Sequence, residues 1–470
     1  MFALLSSRPR RSRRFAAVVL LLAPLVLAAQ PAADVAGTMP EDYLPGLKGI
    51  LETALKQSPQ MLTQNISLAQ AEAGRISGES ILWPSLSGSA SYAFNGAKIN
   101  SGGSSTSTSS GGFYGINVGQ PIYQWGAYKA QADSAKLAEQ VAKHQYAEAY
   151  RTLAGTLRSQ YLGLIVQKIS VRNARYQLEL AENDLAIQEE NFKAGTVSAA
   201  DMNQPRIGLQ EMRLSVDRTT ENFAHARHAY ARMAGLDDLT EESIPLEIPH
   251  PADSSGKSKD LLGAFVHEGP ENSLQGQIWD LYLKQGDLSY KIARTQLYPK
   301  FSFGASYGLS YSQSAFAGTV SQSAVVSYSY GVSANWTLFN GFASRAAKLS
   351  ALATKRSYER QRKTYLDDTS ANAQDLQTQV GFAARALELA EQHQALADDL
   401  IKRATAELGE GTIAPATVKA YRSNAYAVDY ATSSARAEFL NRWSELVSLV
   451  GADPILNALP VSYLNLSHGK

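Results

Sequence analysis

The sequence predicts a mostly α-helical chain with a membrane β-barrel portion, in which one helix-hairpin-helix unit is used twice. Three observations predict it. The chain resembles itself at a spacing near 216 residues, the mark of a duplicated unit. Each copy holds two stretches in which apolar and small polar residues alternate, which is the strand period. Each copy also holds a long, glycine-poor stretch with apolar residues every seven positions, which is the coiled-coil period.

The repeat is anchored along its length. Leu82-Trp83-Pro84-Ser85-Leu86-Ser87 is answered by Leu297-Tyr298-Pro299-Lys300-Phe301-Ser302 at an offset of 215. Tyr114-Gly115-Ile116 is answered by Tyr330-Gly331-Val332, and Gly195-Thr196-Val197 by Gly411-Thr412-Ile413, at an offset of 216. Upstream, Ser58-Pro59-Gln60 reads as the counterpart of Gly269-Pro270-Glu271.

Residues 1–33 form an expected signal peptide. Arg8, Arg10, Arg11, Arg13 and Arg14 precede the apolar run Phe15–Ala29, with cleavage between 28 and 33. The first repeat, 34–236, is expected to hold a helix at 42–82, strands at 84–95 and 113–123, a long helix at 127–194 and a return helix at 199–234. Strand parity puts Leu86, Ala90, Tyr92 and Phe94 on one face and Ser85, Ser87, Ser89 and Ser91 on the other. The long helix repeats Tyr150, Leu157, Leu164, Val171, Leu178, Leu185 and Phe192, and 68 residues of helix make a rod of about 100 Å. The return helix, with Met202, Leu209, Val216, Phe223 and Tyr230, is expected to be capped by Ser198 with Asp201 three residues on.

A linker at 237–259, rich in Pro, Ser and acidic residues, separates the copies. The second repeat, 260–452, is expected to hold a helix at 260–296, strands at 299–311 and 325–339, a long helix at 343–408 and a return helix at 415–450. Residues 453–470 are a tail. The Gly/Ser tracts Asn95–Gly112 and Ser312–Ser323 read as flexible hairpin loops.

Composition excludes several function classes. There is no cysteine, so disulfides, thiolate metal sites and an N-terminal lipid anchor are excluded. Beyond the arginine cluster, 39 basic residues face 43 acidic ones, which argues against a nucleic-acid partner. No apolar run is long enough for a membrane helix. His225 and His228 are three apart on the return helix, but with no third ligand near them they read as surface histidines. No phosphate loop, nucleophile elbow or zinc-protease signature occurs, so no catalytic residue, cofactor or metal is expected.

Outer-membrane strands alternate in this way, with aromatic girdles at the interfaces. Trp83, Tyr123, Trp125, Tyr298, Trp336 and Phe339 cluster at the strand ends nearest the helices, where such a girdle contacting outer-membrane lipid belongs. Four strands cannot close a barrel, and open edges are not tolerated in hydrocarbon, so several copies must share one. Twelve strands from three copies leave a wide lumen, which suits the serine- and glycine-rich face. The competing reading is a structural coiled-coil protein of the periplasm or cell surface, which leaves the alternating hairpins without purpose.

Trp83-Pro84-Ser85-Leu86-Ser87, Gln120-Pro121-Ile122-Tyr123-Gln124-Trp125-Gly126, Trp336-Thr337-Leu338-Phe339-Asn340-Gly341 and the two Gly-Thr turns, doubled at one period, resemble the TolC family of outer-membrane efflux proteins over about Glu41–Pro454. The resemblance implies a homotrimer in the outer membrane of a Gram-negative bacterium, with a shared 12-stranded β-barrel and a periplasmic α-barrel. It implies a passive exit duct for efflux or type I secretion, working with a periplasmic adaptor (membrane fusion) protein and an inner-membrane pump of RND, ABC or MFS type. Carried onto this chain, the adaptor contacts are Gly195, Thr196, Val197, Gly411, Thr412 and Ile413. Some relatives close the tip with aspartate rings and an arginine link. Here Asp201 matches the first position, while Thr417, Ala420 and Ile413 depart from the pattern, leaving Glu407 and Glu410 as further entrance charge.

Overall fold

A computed structural model describes residues 38–100, 104–252, 255–316 and 319–464. The expected signal peptide, 1–33, lies outside them, as does the expected tail beyond 464. Prolines divide the first helical region. Pro40, Pro45 and Pro59 open α1 (Pro40–Tyr43), α2 (Pro45–Gln57) and α3 (Pro59–Glu79). The single helix expected over 42–82 is therefore three. A proline has no N–H for the preceding turn and its ring collides with that turn's carbonyl, so it starts a helix more readily than it continues one.

The chain continues through β1 (Ser85–Asn100), β2 (Ser104–Tyr123), the 67-residue α4 (Ala127–Lys193) and α5 (Asn203–Ala234). The second copy follows with α6 (Ser255–Glu268), α7 (Leu274–Arg294), β3 (Lys300–Phe316), β4 (Thr319–Asn335), the 67-residue α8 (Ala343–Gly409) and α9 (Pro415–Leu449). The helix expected over 260–296 is two, parted by Gly269, at φ +84°, and Pro270. Ser58 caps α3 by accepting from the Met61 N–H at 3.1 Å, and Ser273 caps α7 by accepting from Gly276 at 3.1 Å. These caps share the strands' offset, so Ser273, not Gly269-Pro270, is the counterpart of the Ser58-Pro59 corner.

Helix α5 starts at Asn203, four residues later than expected. The capping contact forms, with the Asp201 N–H donating to Ser198 Oγ at 3.2 Å, but residues 199–202 are a turn. A start at 199 would bury Pro205 two turns deep; a start at 203 keeps it in the first turn, where a missing N–H costs nothing.

The strands form one antiparallel sheet in the order β1-β2-β3-β4. The Gly/Ser tracts expected as loops are largely strand: Asn95 pairs Ser109, Ser110 pairs Gln313, and Ser312 pairs Ser323. Ladder bonds are made by backbone, and β2 and β3 each have partners on both sides, so a loop-like composition does not stop them pairing. Strand β4 ends at Asn335, short of the expected 339, because its partner Lys300 follows Pro299, which has no N–H to donate. The outer edges of β1 and β4 have no partner strand among the described residues.

Helix α4 packs on α3, α5, α7 and α9, and α8 on α6, α7 and α9. The largest core gathers Leu47, Leu51, Tyr150, Leu157, Leu164, Val171, Phe223 and Tyr230, with Leu239, Ile244 and Ile248 of the linker packed into it. Where α5 ends, Gly235 (φ +75°) abuts the α2–α3 corner so tightly that a Cβ would lie 2.4 Å from the Gln57 carbonyl oxygen. The half-length helices α3 and α5 thus meet end to end alongside α4. Arg158, fully buried on α4, is held by Asp453 and Glu41.

Candidate functional site: the sheet faces and the helical tips

The sheet has two chemically distinct faces, set by register. Leu86, Val118, Ala305 and Tyr330 form one cross-strand row; Ala90, Tyr114, Leu309 and Val326 form another, on the same face. Val118 and Ala305 are half-buried and the other six side chains are exposed in the single chain; Tyr330, and Tyr328 on the same face, are above three quarters exposed. The opposite face is hydroxyl-lined. Ser302 and Ser333 hydrogen-bond across the ladder at 2.9 Å, Ser306 and Ser329 at 2.8 Å, and the Ser85 hydroxyl donates to the Gly119 carbonyl at 3.1 Å. Apart from Lys300 at the helix-side rim, the described residues of this face carry no charge.

The girdle residues do not form one continuous cluster. A bulge at Ile122 lets Pro121 pair Ser302 and Tyr123 pair Phe301. The extra residue turns Tyr123 onto the apolar face, opposite to what strict parity gives. There Tyr123 meets Phe301 at 6.5 Å and Trp125 at 5.4 Å, and Trp125 meets Tyr298 edge-on at 5.3 Å. The indole N–H of Trp125 donates to the Pro299 carbonyl at 3.2 Å, and that of Trp336 to the Leu297 carbonyl at 2.9 Å. Phe339 packs on Phe342, while Trp83 stands exposed with no ring partner among the described residues. Sequence reading put Tyr92 and Phe94 on the apolar face without marking them, together with Tyr311, as the far end of the band; all three are exposed. The signal was the place of Tyr311 ten residues along the strand from Phe301, with Tyr92 in its cross-strand row, a span of about 25 Å once tilted.

Strand gives way to rod at a two-residue left-handed corner. Trp125 and Gly126 have φ +51° and +82°, and Gly341 and Phe342 have φ +62° and +67°. The Ala127 N–H donates to the Gln124 carbonyl at 2.8 Å and Ala343 to Asn340 at 3.2 Å, so both corners are type I′ turns. Glycine fills the second slot in one copy and the first in the other.

The tips are built alike. Gly195 (φ +79°) and Gly411 (φ +74°) end α4 and α8 in the left-handed conformation. Thr196 donates its N–H to the Asn191 carbonyl at 3.0 Å and its hydroxyl to the same oxygen at 2.8 Å; Thr412 does the same to Glu407 at 2.9 and 2.8 Å. Each turn therefore satisfies helix-end carbonyls through its own glycine and threonine. Val197 and Ile413 are half-buried, and the rest of the two motifs is exposed. Asp201 is engaged by Ser198, whose hydroxyl donates to its Oδ2 at 2.6 Å. The Glu407 and Glu410 side chains are exposed and make no ion pair among the described residues.

Above the tips, α4 is tied to α9. Arg172 pairs with Asp429 and lies over the Tyr426 ring at 4.8 Å; Tyr176 meets that ring edge-on at 4.9 Å, and Gln177 donates to the Ser423 hydroxyl at 2.6 Å. This contact joins residues about 250 apart and gave no sequence signal.

The geometry has clear relatives. The solved Campylobacter jejuni CmeC outer membrane channel matches with a TM-score of 0.67 at 16% identity, over 92% of this chain and 93% of that one. The Neisseria gonorrhoeae MtrE outer membrane channel in its open state matches at 0.62 and 14%, over 90% and 93%. The Vibrio cholerae outer membrane protein VceC matches at 0.62 and 16%, over 88% and 99%. These likenesses establish the fold. No curated protein matches by sequence. The family model described as outer membrane efflux protein matches residues 50–235 and 277–452, one segment in each repeat. The chain therefore belongs to the outer membrane efflux protein family: it is a non-enzymatic efflux channel of the outer membrane.

Proposed function

We propose that three copies of this chain assemble into one exit duct, with twelve strands closing a barrel in the outer membrane and the rods lining a tunnel through the periplasm. The observation that carries the reading is the unfinished state of the single chain. Its sheet exposes a lipid-like face and leaves the edges of β1 and β4 unpaired, and hydrocarbon tolerates no such edge. Its rods are unfinished too: Ile207 and Leu214 on α5, and Leu349, Phe382, Leu389 and Leu396 on α8, are exposed. Neighbouring copies supply the missing partners, β1 to β4 and α5 to α8.

In this reading Trp83, Tyr123, Trp125, Tyr298, Trp336 and Phe339 lie at the periplasmic lipid interface. The tips Gly195-Thr196-Val197 and Gly411-Thr412-Ile413 meet a periplasmic adaptor, and Asp201, Glu407 and Glu410 place negative charge at the entrance. Transport energy comes from an inner-membrane pump, as part of efflux or type I secretion. The test is conductance of detergent-purified protein in planar bilayers, with its mass measured in the same preparation. Ion-conducting pores from a trimer are expected. A monodisperse monomer or dimer, or protein that washes from membranes without detergent, overturns the reading.

A further inference from the structure

We propose that Phe113, with Val325 at the same height, is a contact point inside the duct for cargo carrying an aromatic surface. The inference rests on the reading of the hydroxyl face as the lumen. Phe113 pairs Ser91 and Ser310, and Ser310 pairs Val325, so the four residues form one row across that face. Over residues 85–97, 107–119, 302–314 and 321–335, all other residues facing the same way are Ser, Gly, Ala or Asn; Pro121 and Lys300 stand at the helix-side rim and Phe316 at the hairpin tip.

The ring has a built seat. In the adjacent row Gly115 pairs Gly308, and the Phe113 ring lies across both. A Cβ on Gly115 would come within 2.6 Å of its Cζ, and a Cβ on Gly308 within 3.0 Å of its Cε2. One ring surface is thus laid against bare backbone, and Phe113 remains 38% exposed. In a threefold barrel, three Phe113 and three Val325 make an apolar belt in an otherwise neutral, hydroxyl-lined wall. That wall has almost no charge with which to hold a passing solute. Aromatic contact at the belt is the interaction that slows one class of cargo relative to another.

The experiment is single-channel recording in planar bilayers with tetraphenylphosphonium in both chambers, and tetraethylammonium as a probe of equal charge without rings. Wild-type pores should show dwell-time block by the first probe and not the second. Phe113→Ser should conduct potassium chloride as before and shorten the block about tenfold, the factor that corresponds to losing about 1.4 kcal/mol of aromatic contact. Phe113→Leu keeps apolar volume over the glycine pair, serves if the serine variant does not assemble, and should also shorten the block. Equal block in a conducting variant, or no block of wild type, overturns the proposal while leaving the channel intact. Absence of any pore overturns the channel reading and this proposal together.

Discussion

Arg158 and Asp453 form a two-point ion pair with no solvent access to either side chain, at 2.5 Å from Nη1 to Oδ2 and 2.9 Å from Nη2 to Oδ1. Glu41 closes the other side of the guanidinium at 2.9 and 2.5 Å. One residue in the middle of α4 thereby holds both ends of the described chain. Burial pulls the Arg158 guanidinium down, but the hydrogen bonds and charges of Asp453 and Glu41 outweigh it and leave it raised. Asp453→Ala leaves the buried guanidinium to Glu41 alone and should cost about 3 kcal/mol. Chemical denaturation of the purified protein measures the loss, which Asp453→Asn should reduce only in part, since it restores one acceptor without the charge.

Two glycine substitutions separate backbone strain from collision. At Gly411, φ is +74° and the space around a Cβ is empty; Gly411→Ala should cost about 1–2 kcal/mol, the left-handed penalty alone. At Gly235 the same penalty is joined by contact with the Gln57 carbonyl, so Gly235→Ala should cost clearly more and lower the melting midpoint further. Equal midpoints in the two variants would contradict the end-to-end seating of α5 on the α2–α3 corner.

The buried His144 donates from Nδ1 to the Tyr463 carbonyl at 2.9 Å, fastening the segment after α9 to α4. Burial lowers its pKa below the usual 6.5, and the Tyr463 bond offsets this only in part. With the folded value depressed, the unfolded chain binds the proton more readily, so stability is whole above about pH 6.5 and is lost as pH falls below it. Thermal midpoints at pH 7.5 and 5.5 should show the drop. His144→Asn, which keeps a donor and cannot titrate, should shrink it.

The link between α4 and α9 is half-exposed, so its ion pair is worth about 0–1 kcal/mol. Arg172→Ala should therefore leave the melting midpoint nearly unchanged. It should raise hydrogen exchange of the amides in residues 415–430, because Asp429 and Tyr426 lose their shared partner. Exchange unaltered from the parent protein would show that α9 is held in place without the Arg172–Asp429 pair.

Periodicity made much of this architecture readable. Tyr150, Leu157, Leu164 and Val171 on α4, and Leu209, Val216, Phe223 and Tyr230 on α5, repeat every seven residues and are buried. The misreadings have local causes. Pro45, Pro59, Pro205 and Gly269-Pro270 interrupt otherwise long helical patterns, and each sets a boundary. Serine-rich composition hid strand in the hairpins, because pairing is decided by the neighbouring backbone. Phe113 sat in plain view, out of step with Tyr114, yet its meaning depends on Gly308, nearly two hundred residues away. Contacts such as Arg158 with Glu41 and Asp453 leave no periodic trace at all.

The unpaired edges of β1 and β4 also constrain how the protein can be made. A lone copy placed in lipid would strand two rows of backbone donors and acceptors, each costing several kcal/mol. In the proposed trimer, barrel closure and insertion therefore coincide, and each chain has to stay unaggregated until its companions arrive. Biogenesis becomes a concentration-dependent event, in which a slow supply of chains is more dangerous to the cell envelope than a fast one.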